Sequence, residues 1–584
     1  MNTLVIVLIA AVVLVCAYAG YGRWLAKTWG VDPNAKTPAV RLEDGKDYVP
    51  THGWTVFAHQ FSSIAGAGPV TGAIQAAAFG WLPVLLWVLI GGVFFGAVTD
   101  FGALYASVKN DGKSMGLLIE KYIGKTGRKL FLLFCWLFCG IVIAAFADMV
   151  AGTFNAFDAE GAQVEAAFTN GAAGMVSIMF MVFAVVFGFI QKKFNFSGWR
   201  EAVIGIVFIV LSFAVGMNCP LVFGKAAWSY ITFVYIFFAA VLPMWMLKQP
   251  RDYMTTFMFG AMIAGAVIGL LVAHPTMNLP VFTGFNNAKL GTMFPILFVT
   301  VACGAVSGFH SLVSSGTSSK TVENEKDMLK VGYGAMVLES LLAVLALCVA
   351  GAAAAADGTP ASGTPFQIFS RGVAGFFEMF GVPVSIATVF MTMCVSALAL
   401  TSLDAVARIG RMSFQELFSV DDMEHAEGWR KLCCNVYFST FITLVFGFIL
   451  TQIGYANIWP LFGSANQLLS ALVLATLCVF LKVTGRNNKM LFPPLVIMLC
   501  VTFTALVQRL IAMVKAISAA ASTAIPAGET TWGAVFIANG LQLILAVLLI
   551  VLGLNIVFHS VKSYTTCDAP EAKDNAKATA KANA

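Results

Sequence analysis

Long apolar runs follow one another along almost the whole chain, separated by short polar connections. A helix that crosses a lipid bilayer needs about 20 mostly apolar residues, and most of these runs reach that length. They predict fifteen transmembrane helices, at about 2–22, 53–79, 82–108, 130–152, 172–190, 201–217, 226–247, 255–273, 290–315, 331–356, 379–407, 432–452, 458–481, 491–514 and 531–558. We therefore expect an all-α polytopic membrane protein whose solvent is the lipid bilayer.

Composition agrees with the pattern. Of 584 residues, 59% are hydrophobic and only 11% are charged, whereas soluble domains carry roughly 25% charged residues. This scarcity of charge excludes a soluble enzyme, and the basic residues are not interleaved with aromatic residues as in nucleic-acid-binding proteins. The twelve cysteines form no CxxC pair, which argues against a zinc or iron–sulfur site. We expect no enzyme activity, no nucleic-acid partner, no cofactor and no metal site.

The basic residues predict the orientation of the helices. With the N-terminus outside, the fifteen-span topology places 30 of the 35 lysines and arginines on one side, which is therefore the cytoplasm. The other side receives Lys225, Lys289, Arg371, Arg509 and Lys515. The first run is interpreted as a retained helix, because its positive charges follow the apolar stretch. The polar segment 565–584 is predicted to be a disordered cytoplasmic tail.

Two apolar runs are interrupted. The first contains FSSIAGAGPVTG (61–72) and the second contains TVACGAVSGFH (300–310). Pro69 lacks a backbone donor and disfavours a helical residue before it, and glycines lower helix preference further. A helix break at membrane depth is tolerated where it is buried in protein or lines a cavity. The alternative interpretation is a kink or a close helix contact.

The two interrupted helices predict an internal repeat. Each is followed by four further spans, and by the loop charges the two interrupted helices run in opposite directions. Such a pair of five-helix units is typical of inverted-repeat secondary transporters. The predicted organisation is an extra helix at 1–22, a first repeat at 53–217, two intervening helices at 226–273, a second repeat at 290–481 and two further helices at 491–558.

Several longer motifs resemble the carbon starvation protein A (CstA) family. They are FSSIAGAGPV (61–70) with GW (80–81), GAVTDF (96–101), KS (113–114), CGAVSGFHSLVSSGTSSK (303–320), GYGAMVLES (332–340), ALTSLDAVARIGR (399–411) and FGSANQ (462–467). The resemblance implies a bacterial inner-membrane importer of pyruvate or small peptides, driven by protons. It also implies a LeuT/APC-like core, the fold of the amino acid–polyamine–cation superfamily. Thr99 precedes Asp100 where many relatives are expected to carry His.

The interruptions supply candidate groups for a carboxylate substrate. Free backbone N–H groups at a helix break bind anions, and hydroxyls and an imidazole can add hydrogen bonds. The predicted substrate-binding residues are Ser62, Ser63, Gly66, Ala67, Gly68, Gly304, Ser307 and His310. The alternative for the serines is a hydrogen bond to a carbonyl of their own helix.

Ionisable residues inside the apolar runs are candidates for ion coupling, because they are costly in a membrane. His59 and His310 titrate near neutrality when unperturbed, so either is a candidate proton carrier. The predicted proton- or ion-coupling residues are His59, Asp100, Glu339, Thr401, Ser402 and Asp404. Thr401 and Ser402 would suit Na⁺, by analogy of fold alone. Asp404 could instead pair with Arg408 one helical turn later. Asn466 and Gln467 are interpreted as helix-packing residues.

These observations predict a secondary active importer of pyruvate or a related small carboxylate, working by alternating access and coupled to H⁺ in preference to Na⁺. In the sequence no acidic residue adjoins either interruption, which favours a small acid over a peptide amino terminus. Three alternatives stay open: a di- or tripeptide transporter induced in carbon starvation, a transport-like nutrient sensor, and a redox subunit with haem on His59 and His310. No GxxxxGK[ST] motif supports ATP-driven pumping. The oligomeric state stays unknown.

Overall fold

The structure is a computed structural model. It describes residues 2–45, 47–158, 160–194, 198–243, 245–288, 290–420, 427–522, 536 and 538–567. Most of the predicted tail at 565–584 therefore lies outside the described residues; its first residues end the last helix, which runs to Thr566.

Helices account for most of the described chain. The first twelve are α1 (Thr3–Ala17), α2 (Arg23–Trp29), α3 (Pro38–Arg41), α4 (Gly53–Ile64), α5 (Gly68–Ala76), α6 (Trp81–Gly91), α7 (Ala97–Val108), α8 (Met115–Tyr122), α9 (Lys125–Phe154), α10 (Ala167–Phe194), α11 (Trp199–Asn218) and α12 (Lys225–Val241). The others are α13 (Lys248–Ala273), α14 (Met293–Thr300), α15 (Gly308–Gly316), α16 (Ala335–Ala353), α17 (Pro365–Glu378), α18 (Val384–Phe418), α19 (Gly428–Cys433), α20 (Val436–Thr451), α21 (Tyr455–Val483), α22 (Phe492–Ser522) and α23 (Ala538–Thr566). A small hairpin pairs β1 (Asn286–Asn287) antiparallel with β2 (Gly291–Thr292).

Eleven helical segments of the described chain are long and apolar enough to cross a membrane. Three of them join neighbouring helices through π-helical turns, as α1 joins α2 through Tyr18–Gly22. The four other predicted spans coincide with two shorter apolar helices, α12 and α20, and with the two interrupted pairs α4–α5 and α14–α15. The chain is thus a multi-span helical membrane protein. The count of fifteen and the division into inverted repeats stay predictions.

Burial separates central helices from peripheral ones. The most apolar window of α21 is entirely buried, and that of α9 is 83% buried. In contrast, the windows of the α1–α2 segment and of α11 are only 28% and 17% buried. Apolar side chains that remain exposed on a helix of this length face lipid. The windows of the segment that ends in α16 and of α18 are 78% and 72% buried, so the centre of the protein is built on α9, α16, α18 and α21.

Both predicted interruptions are present. Helix α4 ends at Ile64 and α5 begins at Gly68, and α14 ends at Thr300 before α15 begins at Gly308. The two breaks lie against each other, since a Cβ added at Gly304 would lie 3.6 Å from the Cα of Pro69. Similarly, a Cβ added at Gly72 would lie 2.7 Å from the carbonyl oxygen of Thr300. The glycines are required here because two backbones approach each other closely.

This close packing makes a testable size-exchange prediction. A Cβ added at Gly304 would lie only 2.6 Å from the Cβ of Ala343 on α16, so G304A should overpack the second break. We expect the initial rate of substrate uptake into proteoliposomes to fall about tenfold, the equivalent of about 1.4 kcal/mol. The double variant G304A/A343G removes the colliding methyl and should recover most of that loss. Equal uptake by G304A and G304A/A343G would contradict the packing described here.

Some elements depart from the sequence prediction. Helices α8 and α17 are amphipathic rather than continuously apolar, so a search for 20-residue apolar runs misses them. Helix α13 begins at Lys248, seven residues before the predicted span, and it includes Arg251, which the predicted topology leaves in a cytoplasmic loop. Arg251 is nevertheless buried, with 1% of its surface exposed. Its burial depends on partners from other helices, which local hydropathy cannot reveal.

Candidate functional site

A small cavity lies between the two helix breaks. About 10 Å³ of it is open to the centre of a water molecule, which is room for about one water. Helices around it must therefore move apart before a carboxylate can enter. Its lining residues are Ile64, Gly66, Gly68, Phe138, Val142, Phe146, Cys303, Phe309, His310, Ser402, Val406, Phe462 and Asn466.

One wall of the cavity is apolar. Helix α9 contributes Phe138, Val142 and Phe146, which lie four residues apart and therefore on one face of the helix. Phe462 of α21 packs against Phe146, with ring centroids 5.6 Å apart. This wall excludes water and suits the methyl or methylene end of a small solute.

The opposite side of the cavity is formed by the breaks. Helix α5 begins at Gly68 and α15 begins at Gly308, so the N-termini of both helices lie at the cavity, with the Phe309 N–H of α15 bonded to Asn466. The partial positive charge at a helix N-terminus attracts anions. The Ser402 hydroxyl lies directly against Gly66, where an added Cβ would overlap it. The site thus combines two helix N-termini with hydroxyl and amide side chains.

The side chain of Asn466 on α21 stabilises the second break through hydrogen bonds. Its side-chain oxygen accepts hydrogen bonds from the Phe309 backbone N–H at 3.1 Å and from the Ser307 hydroxyl at 3.2 Å. Its side-chain nitrogen lies 3.0 Å from the Ser307 oxygen and 3.5 Å from the Cys303 sulfur. Asn466 therefore has the packing role predicted for it, and it also lines the cavity.

A cluster of three titratable side chains lies beside the cavity. His310, at the start of α15, places Nδ1 3.0 Å from Asp100 Oδ2 of α7 and Nε2 3.3 Å from Glu339 Oε2 of α16. The three side chains are 1% exposed or less. Among the ion pairs of the described chain, His310 is the only basic partner of the Asp100 and Glu339 carboxylates. We call these three residues the proton cluster.

The electrostatics of the proton cluster require bound protons. Two ionised carboxylates with one imidazolium would leave a net negative charge buried without a partner, which is strongly unfavourable. Asp100 and Glu339 lie at opposite nitrogens of one imidazole, so the neutral cluster has one of the two carboxyl groups protonated when the imidazole is charged. One added proton makes the cluster neutral, and its release requires access to water. The geometry therefore places beside the cavity a buried cluster that is neutral only with an added proton.

The structure brings together part of the predicted substrate set. Gly66, Gly68 and His310 line the cavity, whereas Ala67, Gly304 and Ser307 lie in the breaks but are not among its lining residues. Ser62 donates a hydrogen bond to the His59 carbonyl at 3.1 Å, which is the alternative considered for the serines. Ser63 is buried in the last turn of α4.

The predicted coupling residues fall in different places. Ser402 lines the cavity, whereas the Thr401 hydroxyl donates to the Ala397 carbonyl of its own helix at 2.8 Å. His59 lies on α4, and it interacts electrostatically with Asp252 and Lys248 of α13. The ion pairs of the described chain do not include His59 in the group that His310 forms with Asp100 and Glu339.

The expected ion pair between Asp404 and Arg408 is wrong. Asp404 Oδ2 accepts hydrogen bonds from Arg251 and from the Tyr235 hydroxyl, and Arg408 donates to the carbonyls of Ala239 and Leu242. The one-turn spacing placed Asp404 and Arg408 on one helix face, but neighbouring helices offer both groups better partners. Arg251 and Tyr235 carried no signal of this role in the sequence.

No acidic residue is adjacent to a break along the sequence, but two acidic residues lie close to the second break in space. In the fold, Asp100 and Glu339 contact His310 immediately after the second break. Asp148, in contrast, lies away from the cavity and pairs with Lys225 at 2.8 Å. The sequence also missed a link between the two interrupted helices, in which Gln60 of α4 donates to Ser314 of α15 at 2.8 Å.

The chain is similar to known proteins over most of its length. The model of the family described as carbon starvation protein CstA matches residues 2–359 and 352–505. The peptide transporter CstA of Escherichia coli is 31% identical, over 86% of this chain and 80% of that protein. The pyruvate/proton symporter BtsT of Escherichia coli is 36% identical, over 60% of this chain and 49% of that protein.

Among solved structures, a mutant of the Eremococcus coleocola manganese transporter aligns with 89% of this chain and 99% of its own. Its sequence identity is 12% and its TM-score is 0.41. The family match extends over the breaks, the cavity and the proton cluster. On the strength of that match and of the similarity to the peptide transporters, the chain belongs to the carbon starvation protein CstA family.

Proposed function

We propose that the protein is a secondary active importer of pyruvate or a related small carboxylate, coupled to protons and working by alternating access. The observation that carries this proposal is the position of the proton cluster. His310 both lines the cavity and contacts two buried carboxylates. Cargo and proton therefore occupy neighbouring sites joined by one side chain, which is the arrangement that coupling needs.

The cavity favours a small monocarboxylate. Its apolar wall suits a methyl group, and the helix N-termini with Ser402 and Asn466 suit a carboxylate. No acidic or basic side chain other than His310 is among the lining residues of the described chain. The similarity to the pyruvate/proton symporter of Escherichia coli supports the same substrate class.

A di- or tripeptide is the second candidate cargo. Relatives named peptide transporters match more of this chain than the pyruvate symporter does. Asp100 and Glu339, which lie behind His310, provide the negative charge that a peptide amino terminus needs. Opening of the cavity would have to expose them.

Sodium remains the alternative coupling ion. The Ser402 hydroxyl lies against Gly66 at the end of α4, where helix C-terminal carbonyls are free to bind a cation. We assign the coupling to H⁺ because the proton cluster must bind protons to be stable. A nutrient-sensing role would add to transport rather than replace it.

We further propose that the protein lies in the bacterial inner membrane, with its N-terminus outside and its C-terminus in the cytoplasm. The distribution of the 35 basic residues supports this orientation.

The test of the proposed function is uptake of labelled pyruvate into proteoliposomes. We expect an inward proton gradient to drive pyruvate accumulation equally well with and without sodium. Unlabelled lactate-sized carboxylates should compete, and unlabelled dipeptides should compete weakly. Uptake of labelled dipeptide without uptake of pyruvate would overturn the substrate assignment, and a strict sodium requirement would overturn the coupling ion.

A further inference from the structure

Helix α18 has two opposite functional faces. Ser402 and Val406, four residues apart, line the cavity. Asp404 lies between them in sequence and points to the other side of the helix, because each residue turns an α-helix by about 100°. That second face packs on α12 and α13, the two helices between the predicted repeats.

A buried group of charged and polar side chains holds this second face of α18 against α12 and α13. Arg251 of α13 donates to Asp404 and to the Tyr235 hydroxyl of α12, and the Tyr235 hydroxyl donates to Asp404 at 2.9 Å. A second Arg251 nitrogen lies 3.2 Å from Asp252. The Arg251 and Asp404 side chains are 2% and 1% exposed. We call Arg251, Tyr235 and Asp404 the α18 clamp.

The α18 clamp is not isolated from the first break. Lys248 and Asp252 of α13 are the charged groups that act on His59 of α4. Helices α13 and α18 both contact α4. The clamp therefore lies where the intervening helices, the cavity-lining helix and the first interrupted helix meet, and separating its members would leave buried charges without partners.

We propose that Arg251, with Tyr235, is a positioning residue that holds Asp404 and thereby sets how closely the Ser402 face of α18 lies against the first break. Helices α12 and α13 then move together with α18, and the cavity opens by movement of α18 relative to the breaks. Asp404 acts as the counter-ion of Arg251 rather than as a proton carrier. The importance of this positioning for uptake rests on the proposed transport function.

The test uses the reactivity of Cys303, a native cavity-lining thiol that is 9% exposed. Its alkylation is followed by peptide-resolved mass spectrometry, so the other cysteines can stay in place. R251Q deprives both Asp404 and Asp252 of the guanidinium, and D404N leaves Arg251 with Asp252 alone, so each should loosen α18 and we expect alkylation about tenfold faster in each. The double variant R251Q/D404N keeps a neutral amide pair, and its rate should return to within about threefold of the wild type.

Two further variants make the test specific. R411Q, on the same helix, removes a partly buried charge and its hydrogen bond to the Ala240 carbonyl but leaves the α18 clamp intact, and it should alkylate at the wild-type rate. R251K keeps the charge but lacks the planar fork that reaches two acceptors, and it should alkylate faster than the double variant. If a single neutral variant fails to fold, R251K against R251Q/D404N still decides the question. Wild-type rates in every folded variant, or a double variant as reactive as the most reactive single one, would overturn the proposal.

Measurements of pyruvate uptake distinguish the positioning role of Arg251 from the assignment of the substrate. In R251Q the KM for pyruvate should rise about tenfold and return in the double variant, because a misplaced cavity face weakens binding. If D404N alone removes proton coupling and the double variant does not restore it, Asp404 carries protons and the positioning role is wrong. If alkylation follows the expected order but pyruvate is not transported, the α18 clamp stands and the proposed function falls.

Discussion

E339Q is expected to abolish pyruvate accumulation while leaving pyruvate exchange intact. The amide cannot be ionised, so Asp100 and His310 can form a simple ion pair and the proton cluster no longer requires an extra proton. One pH unit is worth about 1.4 kcal/mol, so a gradient of about one unit supports roughly tenfold accumulation with one coupled proton. In E339Q the ratio of internal to external pyruvate should fall to about 1.

The measurement combines accumulation with counterflow of labelled against unlabelled pyruvate in the same proteoliposomes. E378Q is the matched control, because Glu378 is exposed at the end of α17, and it should accumulate pyruvate like the wild type. Tenfold accumulation by E339Q would show that Glu339 has no part in coupling. Loss of both accumulation and exchange would mean that Glu339 is needed for binding or folding instead.

N466D is the variant with the second-largest expected effect. The aspartate keeps an oxygen that accepts from the Phe309 N–H and the Ser307 hydroxyl, so the second break remains fastened. It adds a negative charge to the cavity wall. Two like charges repel by about 2 kcal/mol even at about 8 Å and an effective dielectric constant near 20, and by more at the direct contact proposed here, so the KM for pyruvate should rise at least roughly 30-fold.

The same variant distinguishes the two candidate cargoes. A peptide amino terminus would be attracted by the added carboxylate, so N466D would leave its KM unchanged or lower it. N457D is the matched control, since Asn457 is exposed near the start of the same helix, α21. A pyruvate KM that stays at the wild-type value in N466D would place the carboxylate away from the second break.

The local parts of the fold were predictable from sequence. Apolar runs predicted most of the long helices, and Pro69 with its neighbouring glycines predicted the first interruption, because both signals depend on local hydrophobicity and backbone preference. The motif around His310 also identified the second break. The sequence could not reveal which residues that lie far apart along the chain contact each other in the fold.

Asp100, His310 and Glu339 were each candidates, but no local rule joins α7, α15 and α16 at one point. The prediction for Arg251 failed for the same reason: an arginine beside a predicted helix end is normally solvated, and its burial is explained by Asp404 and Tyr235 on other helices together with the adjacent Asp252. The apolar wall on α9 carries a four-residue spacing of large side chains. This spacing is a detectable signal, although on its own it indicates only a packed helix face.

The central claim, that a small carboxylate and a proton cross together, is tested most directly with a pH-sensitive dye inside proteoliposomes. Pyruvate is added outside in sodium-free buffer with no imposed gradient, and lumen pH and labelled pyruvate are followed together. The account predicts that the lumen acidifies as pyruvate enters, and that E339Q vesicles and protein-free vesicles stay unchanged in pH. Entry of labelled pyruvate with no change in lumen pH, or entry only after sodium is added, would contradict it.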